Sequence, residues 1–126
     1  MQESIREILG FTDEWFELGI ITEDKLEEFK QQYESGEDLN SEHYRWRAFA
    51  AFVKTRESFD EQTIRRLYRL GETDADSAMG GSMMVEILSL KECPVDLLEN
   101  AAINNRKFLR VAAQRELTKR NRNQTA

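Results

Sequence analysis

Few side chains in this 126-residue sequence have the types and spacing that chemistry needs. Its only cysteine, Cys93, directly precedes Pro94 at the start of a helical pattern, where a helix dipole can lower a thiol pKa. Its only histidine, His43, lies fifty residues away on a different predicted helix. A Cys–His nucleophile would also need an orienting group and a pocket. The simpler expectation for Cys93 is a small buried side chain beneath a helical hairpin. His43 is expected to be a partly exposed residue or a satisfied hydrogen-bonder. One cysteine excludes an internal disulfide, and with one histidine it excludes the usual clustered zinc sites. The run Met79-Gly80-Gly81-Ser82-Met83-Met84 is glycine-rich, but it lacks the Lys-Ser/Thr ending of a phosphate loop and follows no strand. Close approach of a neighbouring helix, with methionines filling irregular gaps, is its expected role.

Carboxylates are the most distinctive group. Asp13, Glu14, Glu17, Asp24, Glu27, Glu28, Glu34, Glu37 and Asp38 fall in the first forty residues, which carry twelve acids against Arg6, Lys25 and Lys30, a net of −9. The remaining residues carry twelve acids and fifteen bases, a net of +3, so the overall −6 conceals an asymmetry. Paired carboxylates can serve acid–base chemistry or hold Mg²⁺. On the third predicted helix, however, they lie opposite the apolar stripe and in water, where neither pKa tuning nor a ligand cage forms easily. Asp13, Glu17, Asp24, Glu27, Glu28, Glu34, Glu37 and Asp38 are therefore expected to be a solvated face that binds a basic protein. No catalytic residue, cofactor or metal ligand is assigned. Arg65, Arg66 and Arg69 make a basic face on a later helix, suited to phosphates or carboxylates, although pairing with acids or simple solvation accounts for them equally well.

The elements that position these groups are helical throughout. Apolar residues recur at helical spacing, one proline and six glycines leave long uninterrupted segments, and no alternating run suggests a strand. The class is all-α, a small single domain of six or seven helices over residues 1–126. It divides into an acidic helical part, 1–40, a central helix with two hairpins, 41–118, and a frayed tail, 119–126. Helices are predicted over Gln2–Leu9, Asp13–Leu18 and Glu23–Tyr33, the last capped by Thr22 with Leu26, Phe29 and Tyr33 inward. Glu34–Asn40 is a loop. Ser41 then caps the central helix, Glu42–Val53. Its two apolar stripes, Trp46/Phe49/Ala50/Val53 and Tyr44/Ala48/Ala51/Phe52, predict cover on both sides. Ser58 and Glu61 fit a capping box for Phe59–Leu70, closed by Gly71. Further helices are predicted over Ala78–Leu90, Pro94–Ala102, with proline at the first position, and Arg106–Leu117.

Phe59–Leu90 and Cys93–Leu117 form two successive helical hairpins. Setting Ile64 on Leu98 places Leu67 on Ala101 and Tyr68 on Ala102, a 34-residue offset that matches stacked helix-pair repeats. The second hairpin, with Cys93, Pro94, Leu97, Leu98, Leu109, Arg110, Ala112 and Ala113, resembles the HEAT-like and leucine-rich-variant repeats. The first hairpin has a longer turn and lacks the apolar-Arg pair. This resemblance implies a curved helical stack that binds other macromolecules and rarely carries chemistry.

The acidic first twenty residues are the reverse of a targeting peptide, and no apolar run reaches membrane-spanning length. A reducing cytoplasm is the expected location. The leading functional expectation is a non-enzymatic protein-binding module. Its sharpest form is an immunity- or antitoxin-type protein that neutralises a basic, nuclease-like toxin. The alternative is a nucleic-acid binder using Arg65, Arg66, Arg69 and the tail, or a HEAT-like scaffold that uses the arginine face. The tail bases Lys119, Arg120 and Arg122 are too few for a nucleic-acid arm, the acidic part of the chain disfavours nucleic acid, and a membrane partner is not expected.

Overall fold

A computed structural model describes residues 4–36 and 41–125, apart from the side chains of 41, 42 and 123–125. Among the described residues there are eight helices and no strand, so the all-α class holds. They are α1 (Ile5–Leu9), α2 (Asp13–Glu17), α3 (Glu23–Glu34), α4 (Ser41–Thr55), α5 (Glu61–Glu72), α6 (Ser77–Leu88), α7 (Val95–Ala101) and α8 (Lys107–Thr125). Contacts group the chain into two compact units, Met1–Glu57 and Ser58–Ala126. Charge divides the sequence after residue 40, whereas contacts divide it after Glu57, because α4 packs on the acidic helices.

Aromatic rings hold the first unit together. Phe11 stands edge-on to Trp15 at 5.4 Å and stacks on Phe29 at 6.1 Å. Phe29 meets Tyr44 edge-on at 5.2 Å, and Tyr44 meets Tyr33 at 6.4 Å. This chain of rings joins α2, α3 and α4 in the offset and edge geometries that aromatic quadrupoles favour. It also corrects the two-stripe reading of the central helix. Tyr44, Arg45, Ala48, Phe49 and Phe52 are buried, whereas Trp46, Ala50 and Val53 are half-buried and Ala51 is exposed. Only the 44/48/52 side, widened by Arg45 and Phe49, is the core face. Arg45 is the charged member of that core at 6% exposure, and its guanidinium donates to the Leu9 carbonyl at 2.8 Å. Gly10, at φ +82°, ends α1 and leaves room for it: a methyl group there would lie 2.5 Å from the Arg45 Nη1.

The second unit is closed by small residues. α5 and α6 cross at Gly71 and Gly80, so closely that a methyl group on Gly71 would lie 2.8 Å from the Gly80 carbonyl oxygen. One at Gly80 would run into the Gly71 carbonyl. On its other side, α6 uses Gly81 to seat the Phe108 ring, 2.5 Å from where a methyl carbon would be. Gly71 is thus a buried helical residue in the last turn of α5, which ends one residue later at Glu72. The N-cap of α5 is Asp60, accepting from the Thr63 amide at 2.7 Å, instead of the expected Ser58. That register puts Phe59 before the cap and Ile64 at the fourth helical position, the pair of a hydrophobic staple, and both are buried. Pro94 occupies the cap position of α7, not its first turn. Around this frame, α7 and α6 both pack on α8.

The sequence predicts a frayed tail from residue 119, whereas α8 runs on through it to Thr125. The helix is held by a polar anchor that an apolar-residue search does not register. The Arg120 guanidinium donates to the carbonyls of Cys93 at 2.9 Å, Leu90 at 3.1 Å and Lys91 at 2.9 Å. Its Nε also meets Glu116 at 3.2 Å. One cation therefore binds three carbonyls of the segment between α6 and α7, that of Leu90 shared with the Cys93 amide, and so ties this part of α8 to the unit.

Candidate functional site

The local folding of α3 places its acids. Thr22 accepts from the Lys25 amide at 3.2 Å, starting the helix where the sequence predicts. Leu26 and Phe29 are buried at 6% and 0% exposure, while Tyr33 is exposed at 39% and only its ring edge joins the core. Asp24, Glu27, Glu28 and Glu34 are exposed, and so are Asp13 and Glu17 of α2. Glu37 and Asp38 lie outside the described residues. The structure thus keeps six of the eight expected contact carboxylates on the surface of one unit.

Cations within this unit are largely engaged in holding it together. Arg6 pairs with Asp13, donates to the Phe11 carbonyl at 3.2 Å and lies 4.3 Å above the Phe16 ring, clamping α1 to α2. Lys25 sits 3.5 Å from Glu28 and 5.3 Å from the Phe29 ring centre. Arg47 donates to Gln32 at 2.8 Å and covers Phe29, while Arg45 is buried. Asp24, Glu27 and Glu34 pair with no cation among the described residues. With fourteen acids and seven bases, residues 1–57 carry a net charge of −7, and residues 58–126 carry +1. Such a field attracts a basic surface and repels phosphates.

Of the other candidates, Cys93 and Arg65 have structural roles. Cys93 is 2% exposed. Burial pushes its thiol up to about 11, with the nearby Arg120 opposing, so at neutral pH it is a protonated, poorly nucleophilic group. His43 is exposed on α4 in the other unit. Arg65 is bound to Asp96 by two hydrogen bonds of 2.8 Å and lies 3.6 Å from Glu61. The bidentate guanidinium holds the Asp96 carboxyl below its usual range. Arg65 is therefore a brace between α5 and α7; of the expected basic face Arg65 and Arg69 are exposed and Arg66 is half-buried. Among the described residues no three His, Cys, Asp or Glu side chains are grouped to hold a metal ion. Nor is any helix long and apolar enough to cross a membrane.

Sequence reasoning saw a short basic tail, Lys119, Arg120 and Arg122, and not a basic side of α8. Lys107, Arg115, Lys119 and Arg122 are exposed there, beside Gln114 and Thr118. At 100° per residue the four cations fall within an arc of about 120°, centred opposite the buried Ala113. The i, i+4, i+7 spacing of Arg115, Lys119 and Arg122 was the available signal. Treating residues 119–126 as frayed hid it.

Comparison of the chain with protein-family models, with curated proteins and with solved structures found no match.

Proposed function

We propose that the protein is a non-enzymatic, cytoplasmic protein-binding module whose acidic N-terminal unit captures a basic protein. The observation that supports this most is on α3. Asp24, Glu27 and Glu34 stand exposed without a cation paired to them among the described residues, while Arg6, Lys25, Arg45 and Arg47 serve the fold. Charge complementarity of this kind accelerates encounter and excludes wrong partners more than it adds raw affinity. In its sharpest form the module is an immunity- or antitoxin-type protein. Its carboxylates would occupy the surface on which a basic, nuclease-like toxin takes phosphates. The packing of α8 on both α7 and α6 supports reading the second unit as a HEAT-like stack that serves as scaffold.

Affinity capture from the native lysate tests the reading, with immobilised parent chain beside an Asp24→Lys/Glu27→Lys/Glu28→Lys variant. The parent should retain a basic protein that salt elutes, and the variant should lose it. Equal retention by both would place the contact elsewhere.

A further inference from the structure

We propose that the outer face of α8 is a second interaction surface, one that holds the phosphate backbone of duplex DNA. Its cations, Lys107, Arg115, Lys119 and Arg122, are exposed on one side of a helix that holds six bases and one acid, Glu116. Glu116 does not offset them, because it faces inward, 3.2 Å from Arg120. Arg115 and Lys119 pair with no acid among the described residues. An open groove of about 410 Å³ follows this side, lined by Val111, Gln114, Arg115, Thr118, Lys119 and Arg122.

The chemistry of the lining favours phosphate over an acidic protein. Contacts to DNA phosphates come from Arg and Lys together with Thr, Asn and Gln, and Gln114, Thr118 and Asn121 are all exposed here. A stable protein interface centres instead on a desolvated aromatic or aliphatic anchor. The lining holds one aliphatic residue, the half-buried Val111, and Phe108, 43% exposed, packs against Gly81 with the Arg106 guanidinium 4.6 Å above its ring. Geometry favours duplex DNA over duplex RNA. The B-form major groove is about 12 Å wide and admits an α-helix, whereas side chains cannot reach into the narrow A-form groove. From Lys107 to Arg122 the helix rises about 22 Å. Successive cations are about 4–12 Å apart along it, more than the 3.4 Å axial spacing of phosphates on one strand, so each can meet a different phosphate.

Fluorescence anisotropy with a labelled mixed-sequence DNA duplex tests this on the full chain. Four phosphate contacts predict that log K falls against log salt with a slope of about −3 to −4, on the order of a hundredfold in affinity for a fourfold rise in salt. Arg115→Gln/Lys119→Gln should keep the helical circular dichroism of the parent and flatten the slope by about 2. The charge-preserving Arg115→Lys/Lys119→Arg should retain the parental slope. Absence of duplex binding at low salt would overturn the proposal, as would a slope unchanged by the glutamine variant. Binding to a poly-glutamate peptide in place of the duplex would also overturn it, making an acidic protein the occupant. Equal affinity for duplex RNA would refute the assignment to DNA.

Discussion

The two units cover helix faces by opposite means. In residues 4–57 short helices stand around bulky rings, and Phe11, Trp15, Phe29, Tyr33 and Tyr44 fill the space between them. In residues 58–125 glycines draw the helices together, at Gly71 against Gly80 and at Gly81 against Phe108. Their cations differ as well. In the first unit Arg45 and Arg6 are turned inward, which leaves carboxylates on the surface. In the second, Arg120 and Arg65 are braces, yet α8 still presents further cations outward. Arginines cap carbonyls in both units, Arg45 at Leu9 in the first and Arg120 at Leu90, Lys91 and Cys93 in the second; what differs is the sign of the charge that remains outside.

Removing a ring should give the largest effect. Phe29 is fully buried and touches Phe11 and Tyr44, so Phe29→Ala should cost about 3–5 kcal/mol, read from denaturant unfolding. Loss of hydrogen-exchange protection should begin in residues 4–57. Trp46→Ala, at a half-buried site, should cost clearly less. If the two variants melt alike, the ring chain is not what organises this unit.

Gly80→Ala tests the other scheme. The added methyl meets backbone at Gly71, which cannot swing aside as a side chain can. Overpacking of this kind costs about 1–3 kcal/mol or more, and protection should fall first in α5 and α6. A parental melting curve would show that the crossing tolerates a wider separation.

Next in size is Arg120→Gln, which takes the guanidinium from the Cys93 and Lys91 carbonyls and from that of Leu90, which keeps the Cys93 amide, and leaves the nearly buried Glu116 without its partner. A loss of about 1–3 kcal/mol is expected, with fraying of α8 beyond Ala113 visible as reduced helical ellipticity. Unchanged helicity would mean that the end of α8 holds by itself.

The smallest effect concerns Asp96. Its carboxyl titrates below the usual 3.8 in the folded protein because it accepts from Arg65. A depressed carboxylate contributes stability that is present above the unfolded value and lost as pH falls through the folded one. Asp96→Asn should therefore flatten the acid side of the stability profile below about pH 4 and leave the neutral side nearly level. Equal acid sensitivity in variant and parent would show that the brace contributes nothing.

Much of this was legible in the sequence because it is local. Helical periodicity fixes α3 and its Thr22 cap, and it sets Leu26 and Phe29 opposite Asp24 and Glu27. The exposure of those carboxylates follows directly. Tertiary choices were not legible. Both sides of α4 read as apolar, and only packing selects Tyr44, Ala48 and Phe52 over Trp46 and Val53. Gly71 read as a helix end because glycine often is one, yet here it serves a close crossing. Asp60 and Ser58 both suit a cap, and burial of Phe59 settles it in favour of Asp60. The basic face of α8 escaped notice since its anchor, Arg120, is a long-range polar contact invisible to an apolar pattern.

The most direct measurement is the association rate between the basic protein captured from lysate and two forms of this chain, the parent and Asp24→Lys/Glu27→Lys/Glu28→Lys. It should be followed across salt from about 50 to 500 mM, over which the screening length shortens severalfold. If the acidic unit steers capture, the parent should associate faster at low salt and slow steeply as salt rises, with the variant slow and nearly flat. Identical rates and identical salt dependence for the two forms would contradict the account.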